Sequence, residues 1–102
     1  MQRVGVIGAG AWGTALAAIA RRAGRDVVLW AREEEVVGSI NTHHINEMFL
    51  PGILLDEGIQ ATSHSAYAID ADLVLLVVPA QHLRSVCGLL APNWTDGTPA
   101  VI

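Results

Sequence analysis

Gly8-Ala9-Gly10-Ala11-Trp12-Gly13 carries three glycines at the first, third and sixth places of a hexapeptide, a spacing that can hold a phosphate. The first glycine lets the backbone turn sharply off a strand. The second leaves no Cβ between the backbone and a pyrophosphate, and the third lets the next helix pack tightly on a sheet. Unpaired N–H groups and the positive end of that helix's dipole then favour an anion. The spacing alone is a weak signal, and a merely tight strand–helix turn is the bland alternative. It gains weight because a β-branched run, Arg3 to Ile7, leads into it and a helical pattern leads out, as in a dinucleotide-binding βαβ unit.

The end of the second strand bears on which dinucleotide. A carboxylate there accepts hydrogen bonds from a ribose 2′-hydroxyl, but Ala31 holds the position and Arg32 follows. A missing carboxylate beside a guanidinium suits a 2′-phosphate, so NADP(H) is the expected cofactor. In the alternative, Arg32 is a solvated surface residue, Glu33 supplies the acid and NAD is bound.

Other constellations support less. His43-His44 has no third ligand at metal spacing, and neighbouring side chains diverge, so no metal site is expected. These histidines are ordinary loop residues or stand near a cofactor cleft. Ser63-His64-Ser65 with Asp70 lacks a nucleophile elbow, and a triad is defined by geometry rather than nearness in sequence. His82 either faces the crevice or lies exposed on its helix. Cys87 is expected to pack on an apolar helical stripe. Trp30 and Trp94 are expected to pack, whereas Trp12 sits inside the glycine loop.

The elements that must position these residues alternate along the chain. Arg3 to Ile7 reads as a strand and Thr14 to Ala23 as a helix, with Leu16, Ile19, Ala20 and Ala23 on its inner face and Gly24 as its left-handed cap. Val27 to Trp30 is a second strand. Glu33 to Glu35 open a second helix, to about Ile40, with Val36, Val37 and Ile40 inward. Asn41 to Gly58 reads as a long irregular segment broken at Pro51-Gly52, and Ile59 to Thr62 as a weak third strand. The unbroken apolar run Asp72 to Pro79 predicts a central strand buried on both faces. Ala80 to Leu90 returns to helix, with Leu83, Val86, Cys87 and Leu90 on one stripe, and Pro99 to Ile102 begins another strand. The pattern predicts an α/β fold: a doubly wound, Rossmann-type parallel sheet, incomplete at its C-terminal end.

Bulk properties agree. The 102 residues have the length of one small domain, 52% hydrophobic and only 5% aromatic, as suits a sheet covered by helices. A net charge of −4 gives no field for nucleic acid or an anionic membrane. Val4 to Ala20 is uncharged, but it falls short of the roughly 20 residues that cross a bilayer and is diluted by glycine. Its basic pair, Arg21-Arg22, lies behind rather than ahead of it, against a signal peptide. One cysteine allows no internal disulfide, and a cytoplasmic location is expected. The sequon Asn93-Trp94-Thr95 would then go unglycosylated.

Several longer segments narrow the reading. "GAGAWGTALA", "LWAR" at Leu29 to Arg32, "INTHHINEMFLPG" at Ile40 to Gly52 and "ADLVLLVVPAQHLR" at Ala71 to Arg84 occur in order. Together they resemble the bacterial NAD(P)-dependent glycerol-3-phosphate dehydrogenases. The resemblance implies reversible reduction of dihydroxyacetone phosphate to glycerol 3-phosphate, feeding phospholipid synthesis. It also implies that Ala11 and Trp12 contact the cofactor with Gly8, Gly10 and Gly13, that Arg32 meets its adenosine end, and that Phe49, Pro79 and Gln81 border it. Many relatives carry Ser where Ala11 stands. The family's catalytic lysine and helical substrate domain are expected beyond Ile102, which makes residues 1–102 an inactive, cofactor-binding fragment able to form a homodimer. Another two-domain NADP-linked reductase, or a non-catalytic dinucleotide sensor, remains as an alternative.

Overall fold

The computed structural model describes residues 3–94 and 97–101. Among the described residues five strands, β1 (Arg3–Ile7), β2 (Asp26–Trp30), β3 (Ile59–Thr62), β4 (Leu73–Leu76) and β5 (Ala100–Val101), form one sheet. Their order is β3-β2-β1-β4-β5 and every pairing is parallel. Parallel neighbours need crossovers. Those crossovers are α1 (Ala11–Arg22), α2 (Glu34–His43), α3 (Ser65–Ile69) and α4 (Ala80–Leu90). The chain steps outward from β1 to β3, then returns to place β4 on the other side of β1. This is the doubly wound, Rossmann-type arrangement.

Strand side chains alternate between faces, and the two faces make two cores. Val4, Val6, Val27 and Leu29 pack with Ala17 of α1 and with Val36 and Ile40 of α2. Ile7, Val28, Trp30 and Val74 pack with Ala68 and Ile69 of α3 and with Val86 and Leu90 of α4. Trp30 is buried, and its Nε1–H donates to the Ser63 carbonyl at 3.0 Å. Trp94 lies half-buried against the second core. Among the described residues, no helix is long and apolar enough to cross a membrane.

Several elements differ from the sequence reading. Helix α1 starts at Ala11, within the glycine loop, and its buried face is Gly13, Thr14 and Ala17. Leu16 is only half-buried, while Ala23 and Ile19 are exposed, Ile19 by 59%. Small residues face the sheet because the helix backbone lies too close to it for larger ones. Helix α2 runs on to His43 and closes at His44, a non-glycine residue in the left-handed region at φ 59°. The short α3 takes the β3-to-β4 crossover, where the sequence reading had no helix.

Strand β4 lies inside the sheet, but only Val74 and Leu76 are fully covered. Leu73 and Leu75 on its other face are half-buried. Helix α1 lies over β1, β2 and β3, so β4 is covered only in part on that side. Cys87 is exposed rather than packed, because Val86 and Leu90 take the inward positions of α4. Ala100–Val101 confirms the expected last strand as far as Val101, while Thr95 of the sequon and Ile102 lie outside the described residues.

Candidate functional site

The direction of winding reverses between β1 and β4, and their carboxyl ends emerge side by side. In open α/β sheets this switch point is where ligands bind. Here the Gly8–Gly13 segment leaves β1 and the Val77–Pro79 segment leaves β4, joined by the Val77 N–H donating to the Ile7 carbonyl at 2.8 Å.

The glycines meet distinct constraints. Gly8 has φ +116°, a region that penalises any Cβ, and an added Cβ would stand 2.8 Å from the Val77 carbonyl carbon. A Cβ on Gly13 would lie 3.0 Å from the Gly8 carbonyl carbon and 3.5 Å from the Val77 Cβ. Gly10 is the opposite case: among the described residues nothing beyond its chain neighbours lies within 4 Å of the place its Cβ would occupy. The space above Gly10 is therefore open to a ligand. Gly10 is also the N-cap of α1, with no side chain capping the helix and no acidic residue in its first turn. That end of the helix is left to attract an anion.

Two cavities flank this turn and share Gly10 and the Val77–Pro79 segment. The larger, about 550 Å³, is completed by Ala11, Trp12, Gly13, Leu16, Leu75 and Val101. The smaller, about 290 Å³, is completed by Gly8, Ala9, Trp30, Arg32, Phe49 and His82, with Glu33 on its wall. Of the sequence-predicted residues, Gly8, Gly10, Ala11, Trp12, Gly13, Arg32, Phe49 and Pro79 thus converge on one crevice. Gln81 lies exposed in the first turn of α4 and lines neither cavity, whereas its neighbour His82 lines the smaller one. His43 is exposed and His44 ends α2, both outside the two linings. Among the described residues no three His, Cys, Asp or Glu side chains gather as metal ligands.

Two buried polar residues that the sequence does not single out bond to the glycine turn. Asn46 and Thr14 are fully buried. Asn46 Nδ2 donates to the Ala9 carbonyl at 2.7 Å and to Thr14 Oγ1 at 2.9 Å. Thr14 Oγ1 donates to the same carbonyl at 3.3 Å. Asn46 Oδ1 accepts the Phe49 N–H at 3.1 Å. Their signal in the sequence was faint: two polar residues beside apolar ones, 32 positions apart.

A second polar cluster lies at the far end of α1. Asp56 accepts the Gly58 N–H at 2.7 Å and Arg21 Nε at 3.0 Å. The Gly58 bond first, and the Arg21 bond after it, hold the Asp56 carboxyl below the usual carboxylate range.

A parallel doubly wound sheet with a glycine turn opening a helix at its switch point defines the Rossmann-type class of domain. The chain belongs to one family within it: residues 3–102 match the NAD-dependent glycerol-3-phosphate dehydrogenase N-terminus. Over 102 residues it is 66% identical to the glycerol-3-phosphate dehydrogenase (NAD(P)+) of Paramagnetospirillum magneticum, covering all of this chain and 37% of that protein. The fold superposes on the glycerol-3-phosphate dehydrogenase of Coxiella burnetii with a TM-score of 0.90 at 28% identity, covering 97% of this chain and 31% of that one. The Saccharomyces cerevisiae enzyme gives the same TM-score at 30% identity, covering 97% of this chain and 32% of that one. The chain thus spans about a third of the length of the relatives it matches.

Proposed function

We propose that this chain is the cofactor-binding part of an enzyme that reversibly reduces dihydroxyacetone phosphate to glycerol 3-phosphate for phospholipid synthesis in the cytoplasm. The observation that carries this is the convergence of Gly8, Gly10, Trp12, Arg32, Phe49 and Pro79 on one crevice at the switch point. The open space above Gly10 and the uncapped N-terminus of α1 fit a pyrophosphate. Arg32 and the ring of Phe49 flank the smaller cavity, which suits the adenosine end, and Arg32 favours a 2′-phosphate there. Trp12 and Pro79 border the larger cavity, leaving it for the nicotinamide.

When bound, NADPH supplies the hydride. The residues present here bind and orient it and shield one side from water. Residues 1–102 contain no lysine, and on this reading the proton donor and a helical substrate-binding domain lie outside them. On this reading residues 1–102 bind the dinucleotide and turn nothing over.

The test is cofactor binding by the chain and its Arg32→Ala variant, followed by titration calorimetry. Loss of a charge-assisted contact to the 2′-phosphate should weaken NADPH by roughly tenfold to a hundredfold and leave NADH nearly unchanged. Equal losses for both cofactors would remove the NADP preference, and no loss for either would favour Glu33 as the ribose-binding residue.

A further inference from the structure

A trans peptide is planar, so its carbonyl and the N–H that follows point in opposite directions. The Ala9–Gly10 peptide is held by its carbonyl, which accepts Asn46 Nδ2 at 2.7 Å and Thr14 Oγ1 at 3.3 Å on the buried side. The Gly10 N–H must then point the other way, into the crevice where no described residue beyond the chain neighbours stands within 4 Å of the missing Gly10 Cβ. Without these bonds the peptide between Ala9 and a glycine could rotate at little cost. The bond that fixes it comes from the 44–58 connection, 37 residues away in the chain.

We infer that Asn46 is a positioning residue of the cofactor site: its amide aims the Gly10 N–H at the pyrophosphate and ties that peptide to the turn carrying Phe49. The side chain is fully buried and its amide is fully used. One Nδ2 hydrogen goes to the Ala9 carbonyl, the other to Thr14 Oγ1, and Oδ1 accepts the Phe49 N–H. Its orientation is set by chemistry, since a carbonyl only accepts and an N–H only donates. The Asn46 carbonyl also accepts the Leu50 N–H at 2.8 Å, closing the turn around Phe49. One residue therefore sets both the phosphate donor and the position of the ring beside the adenosine cavity.

This inference rests on the dinucleotide reading above, and Asn46→Asp separates the two. Aspartate keeps the acceptor for the Phe49 N–H but replaces the donor to Ala9 with a carboxylate oxygen that repels the carbonyl. A buried carboxyl has a raised pKa, and once protonated it can donate again. Cofactor affinity is measured for both proteins from about pH 8 down to about pH 5.5, a range in which such a carboxyl titrates, and expressed as their ratio. His44 and Glu47 in the same turn are common to both proteins, so their effects cancel in the ratio. The variant should bind NADPH roughly tenfold or more weakly at the alkaline end and recover most of that loss at the acid end. A purely structural defect would give a loss that does not reverse with acid.

If the folded variant binds like the wild type at all pH values, or its loss is independent of pH, the inference is overturned. If the wild-type chain binds neither NADPH nor NADH, the dinucleotide reading itself fails. Should Asn46→Asp not fold, Thr14→Val carries the test. Removing the hydroxyl that supports both the carbonyl and the Asn46 amide should weaken NADPH roughly three- to tenfold, and an unchanged affinity overturns the inference.

Discussion

Gly13→Ala and Gly10→Ala are each a single added methyl, three residues apart, and the structure gives them opposite consequences. At Gly13 the new carbon stands 3.0 Å from the Gly8 carbonyl carbon, closer still to its oxygen, with the Val77 Cβ at 3.5 Å. Both neighbours are held by the sheet, so the N-terminus of α1 must retreat. Overpacking of this kind costs about 1–3 kcal/mol, against which alanine's better helix propensity offsets about 0.8–1 kcal/mol. A net loss of up to about 2 kcal/mol lowers the melting temperature of a domain this size by up to about 15 °C. At Gly10 the new carbon meets nothing, and φ of −67° suits alanine. There the cost is the modest preference of an N-cap for glycine over alanine, less than about 1 kcal/mol. The Gly10 methyl does occupy the space that a pyrophosphate needs, so cofactor affinity should fall by tenfold or more, as about 1.4 kcal/mol of lost contact implies. Thermal denaturation by circular dichroism and cofactor titration read the two effects separately. A Gly13→Ala protein melting at the wild-type temperature while Gly10→Ala melts lower would refute the reasoning from packing.

The remaining predictions concern the two ends of α1. Trp12 is 69% exposed, so Trp12→Ala should shift stability by no more than about 0.5 kcal/mol. The same variant should weaken NADPH measurably, and unchanged affinity would remove Trp12 from the site. Asp56 has a carboxyl pKa lowered in the folded state, so the stability it contributes is present above the unfolded value of about 3.9 and disappears as pH falls through the lowered one. Asp56→Asn should therefore flatten the acid limb of the stability–pH curve below about pH 4. An acid limb as steep as the wild type's would show that the Gly58 and Arg21 bonds do not control it.

What the sequence revealed and what it hid divide by range. The glycine turn, β1 and α4 were legible because each depends on residues close in the chain. The buried face of α1 was misplaced because apolar size ranks Leu16 and Ile19 as core residues. The close approach of helix to sheet instead selects Gly13, Thr14 and Ala17, which a hydrophobic periodicity scores poorly. Helix α3 has five residues, too few to show a period, and its presence follows from the crossover that a parallel β4 demands. Asn46 was invisible as a site residue because its partners, Ala9 and Thr14, are 37 and 32 positions away. A buried amide acquires meaning only once the fold brings a carbonyl to it.

Why the crevice lies over Gly10 follows from the same close approach. Gly13 presses α1 against the turn after β1, and its small buried face keeps it over β1, β2 and β3. The chain next to β1 on the other side, β4, feeds α4, whose Val86 and Leu90 pack on the opposite face of the sheet. The two helices therefore leave neighbouring strands in opposite directions, and neither covers the seam between them. A larger residue at position 13 would push α1 off the Gly8 turn, and a larger one at position 10 would fill the gap that opens there. The packing requirement at one glycine and the binding requirement at the other are consequences of one placement of α1. Asn46, reaching across from the 44–58 connection, sets the direction of the peptide that lies in the gap.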